Sequence, residues 1–277
     1  MKKILKIVAF IIIILIAFYV YARFIEPNRL NINYENLSSK FISNNVNNIK
    51  IVQFSDTHLS EYFDIDDLNK IVEIINGQNP DIVIFTGDLI DHFNSYNGDI
   101  DEIWETLSLI NAPQGKFAVY GNHDYGGGSE KAYKKIMDNS NFITLVNDNI
   151  KLEQYNINII GLDDAIFGKR DKDKIISCID ADYYNIVISH EPDIIDMYLE
   201  YNIDLFLAGH SHGGQVNIPF LSTNILPPLA TKYIRGIYEF ENYRETVMYV
   251  NIGIGTSQVP LRFMAVPEIT VFSLRNK

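Results

Sequence analysis

The chain has 277 residues, 47% of them hydrophobic, and a formal net charge of −12 from 23 basic and 35 acidic side chains. That length suits one large domain or two small ones with a sizeable core. The acidity argues against a protein that holds nucleic acid by its phosphates, since that needs a basic face. A single cysteine, Cys178, excludes an intrachain disulfide and a thiolate-built metal site. Carboxylates gathered around a cation would also make a chain acidic, so a phosphorylated substrate remains open.

The N-terminus, MKKILKIVAFIIIILIAFYVYARF, places Lys2, Lys3 and Lys6 before an apolar run from Ile7 to Ala22. A membrane-spanning helix uses about 20 residues, a length this run reaches through Phe24 and Ile25. Cleaved signal peptides have shorter runs ending in small residues, and here the bulky Tyr19 and Tyr21 flank the one candidate site at Val20 and Ala22. Residues 1–25 therefore read as an uncleaved signal anchor, one transmembrane helix, with export after cleavage as the alternative. The lysines favour a cytoplasmic N-terminus, which puts the rest of the chain on the extracytoplasmic side of the cell membrane.

Residues 26–47 are polar and rich in Asn and Ser, and read as a tether. Residues 48–277 carry no repeat, linker or low-complexity block and read as one domain, expected to fold when started near Asn48. Within it, short β-rich runs alternate with helical patterns, the mark of an α/β class. IKIVQF, DIVIF and KFAVY are strands. Helices are expected over Asp66–Gly77, Ile100–Ile110 and about Ser129–Met137, where apolar residues recur at helical spacing. Beyond Asn141 the pattern is mostly β: FITLV, IKLEQ, INIIG, NIVIS, DLFLA, TVMYVNIG and PEITVFSL.

Five strands are each followed by chemically active side chains. After IKIVQF come Asp56 and His58. DIVIF leads to Asp88 and Asp91, and KFAVY to Asn122, His123 and Asp124. NIVIS ends at His190, and DLFLA at His210 and His212. Taken singly, each is more economically a capped turn, a hairpin or a buried histidine. Taken together they place five of the six histidines beyond strand C-termini, where α/β sheets bind ligands. Imidazole and carboxylate donors without thiolate suit Mn, Fe or Zn, and a carboxylate shared by two cations suits phosphoryl displacement. Residues two apart on extended chain point the same way, so Asp56 with His58, and His210 with His212, can each approach a metal together.

The ordered motifs D-x-H, G-D-x-x-D, G-N-H-D, a strand-ending His and G-H-x-H resemble those of the calcineurin-like metallophosphoesterases, over about residues 48–275. SHEPD, AGHSHGGQ and the GIGTSQVPLRF…PEI tail are similar to the bacterial membrane-associated or exported YaeI/YkuE-type branch. The resemblance implies a four-layer α-β-β-α sandwich, two mixed sheets flanked by helices. It implies that Asp56, His58 and His212 hold one divalent metal ion and that Asn122, His190 and His210 hold a second, with Asp88 bridging. It implies hydrolysis by metal-hydroxide attack, with His123 as general acid at the leaving oxygen, oriented by Asp124. Asp91 would support a ligand, and Arg235 and Arg262 would either meet a substrate phosphate or serve the structure. His92, the sixth histidine, is expected on the surface without a role.

The reading is a membrane-anchored phosphohydrolase acting on a phosphomonoester, phosphodiester or pyrophosphate, its substrate a phosphorylated small molecule or a lipid-linked or envelope phosphate. Two alternatives stand beside it, a UDP-sugar-lipid pyrophosphatase and a metal-binding scaffold without turnover. A scaffold would have no use for the His123–Asp124 pair.

Overall fold

The structure, a computed structural model, describes residues 1–43, 48–218 and 226–277. The first helix, α1 (Lys2–Val20), buries none of its residues. It continues through a π-turn (Tyr21–Ile25) and a 3₁₀ turn (Glu26–Asn28). The combined stretch Lys2–Asn28 contains an 18-residue window of mean hydropathy 2.8 and is long and apolar enough to cross a membrane.

Twelve strands are formed among the described residues, in two mixed six-stranded sheets. The first contains β1 (Asn31–Ser38), β2 (Ile49–Phe54), β3 (Ile82–Phe85), β4 (Lys116–Ala118), β5 (Phe142–Thr144) and β12 (Glu268–Arg275), in the order β1-β12-β2-β3-β4-β5. β2 to β5 run parallel, and β12 lies antiparallel to β2. The second contains β6 (Asp148–Leu152), β7 (Ile157–Gly161), β8 (Tyr184–Ile188), β9 (Leu205–Ala208), β10 (Gly236–Glu239) and β11 (Val247–Val250), in the order β10-β11-β9-β8-β7-β6. Its central β7, β8, β9 and β11 are parallel.

Alternation along each strand builds the layers, because successive side chains point to opposite faces. Ile49, Ile51, Ile82, Ile84 and Phe117 face Ile157, Ile159, Ile186, Ile188, Leu205 and Leu207 in the core between the sheets. The intervening Val52, Phe54, Val83 and Phe85 pack outward on α2 (Ile65–Gly77), α3 (Ile100–Ser108) and α5 (Glu130–Asn139) through Leu68, Ile75, Ile103, Leu107 and Ile136. Val187, Phe206 and Val250 pack outward on Ile175 of α6 (Lys172–Cys178) and on Ile194 and Ile195 of a 3₁₀ turn. The expected four-layer α-β-β-α sandwich is thus the fold.

The stretch 26–47 departs from the expected tether, although residues 44–47 lie outside those described. β1 pairs in parallel with β12 along eight residues, from Asn31↔Glu268 to Ser38↔Arg275. Ile42 is buried in the core between the sheets. An edge strand with one solvated face carries polar residues, so its composition resembles that of a linker. The link to α1 is also fixed: Ala22 is fully buried, its carbonyl accepts from Arg262 N at 2.9 Å, and the Glu26 carboxylate accepts from Ala265 N at 2.7 Å. Burying one aliphatic side chain contributes about 1.5–3 kcal/mol, and each kcal/mol moves the melting point of such a domain by about 2–4 °C. A chain starting at Asn48 is therefore expected to melt at least about 3 °C below one starting at Glu26. Equal melting points in a calorimetric comparison would return the segment to the role of a passive tether.

Candidate metal centre

The C-terminal ends of β2, β3, β4, β8 and β9 meet along one rim, and the sequence-identified side chains come together there. Asp56, His58, Asp88, His210 and His212 all have left-handed backbones, with φ of 51°, 44°, 60°, 68° and 48°. Such values are uncommon outside glycine and cost energy, so the surrounding loops hold these turns against a local preference. Two glycines are required by the packing. A Cβ on Gly121 would stand 2.3 Å from Asp88 Oδ1, and one on Gly209 would stand 2.4 Å from Asp56 Oδ2.

Among the described residues, four groups of metal-capable atoms form: Asp56/His58/His212, His58/Asp88/His123, Asp88/His190/His210 and Asp91/His92/His123. Asp56 Oδ1 lies 3.4 Å from His212 Nε2 and 3.8 Å from His58 Nε2. Asp88 Oδ2 lies 3.1 Å from His190 Nε2 and 3.5 Å from His58 Nε2, between the two main groups.

Contacts outside the cluster set the imidazole tautomers. His190 Nδ1–H donates to the Thr86 carbonyl at 2.7 Å, His210 Nε2–H to the Pro228 carbonyl at 2.9 Å, and His58 Nδ1–H to Asp91 Oδ1 at 3.1 Å. Each bond turns the other ring nitrogen inward with its lone pair free, as metal-binding histidines require. His190 Nε2 and His210 Nδ1 then face one another at 3.0 Å, as do the Nε2 atoms of His58 and His212. Facing lone pairs call for a shared proton or a cation. Asn122 Oδ1 is likewise buried without a hydrogen-bond partner. Oxygen and imidazole donors, no thiolate and an orphaned amide oxygen fit divalent cations.

Charge in the cluster is strongly coupled. Burial opposes charge on His58, but the carboxylates of Asp56, Asp91 and Asp88 outweigh it and raise the imidazole to about 10. Burial likewise opposes charge on His190, and Asp88 overrides it upward. For His210, burial and the neighbouring His190 lower the pKa to about 4. Burial would raise Asp88, yet His190 and His123 hold it well below the usual carboxylate range. Protons on His58 and His190 stand where cations would, so metal loading has to displace them.

Several side chains have roles other than those expected. Asp124 does not orient His123: its carboxylate accepts from the backbone N–H groups of Asp88 and Gly121 at 2.8 Å and of Leu89 at 2.9 Å. It therefore clamps the loop that presents Asp88. Asp91 takes over the orienting role, its carbonyl accepting from His123 Nδ1–H while its carboxylate holds His58. Arg262 is fully buried and donates to the carbonyls of Gly255, Ala265 and Ile252, with Nη2 3.5 Å from His212 Nδ1. Arg235 donates to the carbonyls of Gly213 and Met264. Both arginines brace loops, the structural of the two options left open for them. His92 is exposed as expected, but its ring lies 5.6 Å from that of His123 and it lines a cavity of about 710 Å³ with Asp91, Tyr62 and Gln258. Nothing in the sequence around His92 marks it, since its neighbour across the cavity lies in another loop.

The profile of the calcineurin-like phosphoesterase family matches residues 49–214. The metallophosphoesterase YkuE of Bacillus subtilis is 38% identical over 261 residues, covering 93% of this chain and 90% of that protein. The UDP-2,3-diacylglucosamine pyrophosphatase LpxG of Chlamydia muridarum is 27% identical over 308 residues, covering 91% and 92%. Among solved structures, a dimetal phosphatase from Danio rerio aligns with a TM-score of 0.44 at 11% identity, covering 76% of this chain and 89% of that one.

Proposed function

This chain belongs to the calcineurin-like phosphoesterase family and is a metallophosphoesterase with a His/Asp metal centre, and from that premise we propose how its residues divide the work. Asp56, His58 and His212 hold one divalent cation. Asn122, His190 and His210 hold the other, and Asp88 bridges. The observation that carries this division is the position of Asp88, whose Oδ2 approaches one imidazole from each group, His190 at 3.1 Å and His58 at 3.5 Å. When bound, Mn, Fe or Zn at such a pair would lower the pKa of a bound water and offset charge on the phosphoryl oxygens.

His123 is placed to move a proton. Its ring is 16% exposed at the mouth of the cluster, its Nδ1–H is held by the Asp91 carbonyl, and its backbone N–H donates to Asp88 Oδ1 at 2.8 Å. That leaves Nε2 to deliver a proton to the leaving oxygen. Asp124 keeps the Asp88 turn in register and Asp91 keeps His58 and His123 oriented, so both are positioning residues. The scaffold alternative is disfavoured by the same proton donor.

The substrate is a phosphomonoester, phosphodiester or pyrophosphate. The long apolar N-terminal helix supports anchoring in the cell membrane with the domain outside it, and so a lipid-linked or envelope phosphate. The likeness to LpxG favours a second reading, pyrophosphate hydrolysis in a UDP-sugar-lipid. Metal analysis of the full chain purified in detergent is expected to find two divalent metals per chain. A phosphate-ester panel should then show hydrolysis that chelation abolishes and metal restores, with a UDP-sugar-lipid as a separate arm. One metal or none per chain after reloading, or no turnover in any arm, would sink the proposal.

A further inference from the structure

We propose that the loop Ser257–Met264, together with Phe24 and Ile25, is a second membrane-contacting element, a foot that enters the lipid interface beside α1. The inference rests on α1 being a membrane span.

Its geometric core is the contact between the catalytic domain and the apolar helix. The Phe263 ring packs on Phe18 at 4.7 Å and on Tyr21 at 6.1 Å between centroids. The apolar run from Ile7 to Ala22, with Arg23 at its edge and Phe24 and Ile25 beyond it, covers roughly 28 Å of helix at 1.5 Å per residue, which matches the roughly 30 Å of a bilayer's hydrocarbon core. Phe18 lies seven residues inside the domain-proximal end at Ile25, roughly 10 Å below it. A loop residue that touches Phe18 therefore has to sit within the membrane if the helix spans it.

The surface of the loop is built for that position. Val259 is 50% and Met264 53% exposed, alongside Phe24 at 55% and Ile25 at 48%. Large apolar groups around a spanning helix bury favourably in lipid and unfavourably stay in water. The loop is also braced. Gln215 Nε2 donates to the carbonyls of Ser257 and Val259 at 3.0 and 2.8 Å, and Arg262 turns inward onto Gly255, Ile252 and Ala265. Its backbone polar groups are thus partly satisfied from the protein side, as lipid contact demands. Arg23, over the Tyr62 ring at 4.7 Å, stands where a cation meets lipid phosphates.

The foot would fix the metal centre relative to the bilayer. Gln258, next to Val259, lines the same cavity as Asp91 and His92 at the edge of the metal centre. A phosphate at headgroup level would then face the site while its chains stay in the membrane.

Single cysteines at Val259, Met264, Ile11 and Tyr243 in full-length C178S protein, nitroxide-labelled in phosphatidylglycerol/phosphatidylethanolamine proteoliposomes, test this. Labels at 259 and 264, like the label at Ile11, are expected to show an oxygen-to-nickel accessibility ratio several-fold above that of the label at the remote, exposed Tyr243. Aqueous readings at both 259 and 264 with a lipid reading at 11 would overturn the foot and leave the anchor standing. An aqueous reading at 11 would overturn the anchor, and the foot with it.

Discussion

Asp88→Asn is expected to lose metal and turnover together. The carboxylate is 1% exposed, and both oxygens are in use: Oδ1 accepts from His123 N at 2.8 Å, and Oδ2 lies 3.1 Å from His190 Nε2 and 3.5 Å from His58 Nε2. An amide keeps the shape but removes the negative charge from between two cations, and it presents N–H where a cation needs a lone pair. Metal content should fall from two per chain toward one or none. Turnover should drop by about 10³ or more, since a metal contributes several kcal/mol to transition-state stabilisation and each 1.36 kcal/mol is a factor of ten. The backbone N–H groups of Asp88 and Leu89 bond to Asp124 and hold the Asp88 loop independently of this side chain, so the variant should fold. Elemental analysis beside kcat checks it; two retained metals with full turnover would remove Asp88 from the bridging position.

His123→Ala separates chemistry from metal binding. No metal assigned above depends on His123, so both cations should remain while kcat falls by about 10² to 10⁴, the usual contribution of a general acid. The loss should depend on the leaving group. Nitrophenyl phosphates depart without a proton and should suffer least, whereas alkyl esters should suffer most. A uniform loss across leaving groups would take His123 out of the acid role. Loss of a metal would instead make it a ligand, which the His58/Asp88/His123 grouping would accommodate.

The most legible parts of the molecule are those whose signal is local. Strand β2 was expected over the same residues it occupies, and α2 within one residue of its start, because an alternating strand or a 3.6-residue helix repeats its apolar face within a few positions. The loops that carry the clustered His and Asp side chains were legible for the same reason, each a short run of polar residues after an apolar strand. Elements with little apolar face escaped. β1 is a half-solvated edge strand, β10 alternates exposed and half-buried residues, and α6 buries only Ile175.

By itself, the sequence determined the family, the α/β class, the apolar N-terminal helix and the His and Asp side chains that cluster beyond the strand ends. Each is written in residues a few positions apart. Only the tertiary structure decided which loops touch. His58 bonds Asp91 across 33 residues, Asp124 reaches the Asp88 backbone across 36, and Arg262 stands 50 residues from the His212 ring it approaches. Orientation at that range depends on strand order, twist and the packing of two sheets against each other, none of which leaves a local trace. For that reason Asp124 clamps the Asp88 turn, Asp91 bonds His123 as well as His58, two arginines went to bracing loops, and a supposed tether became a strand that helps join the N-terminal helix to the domain.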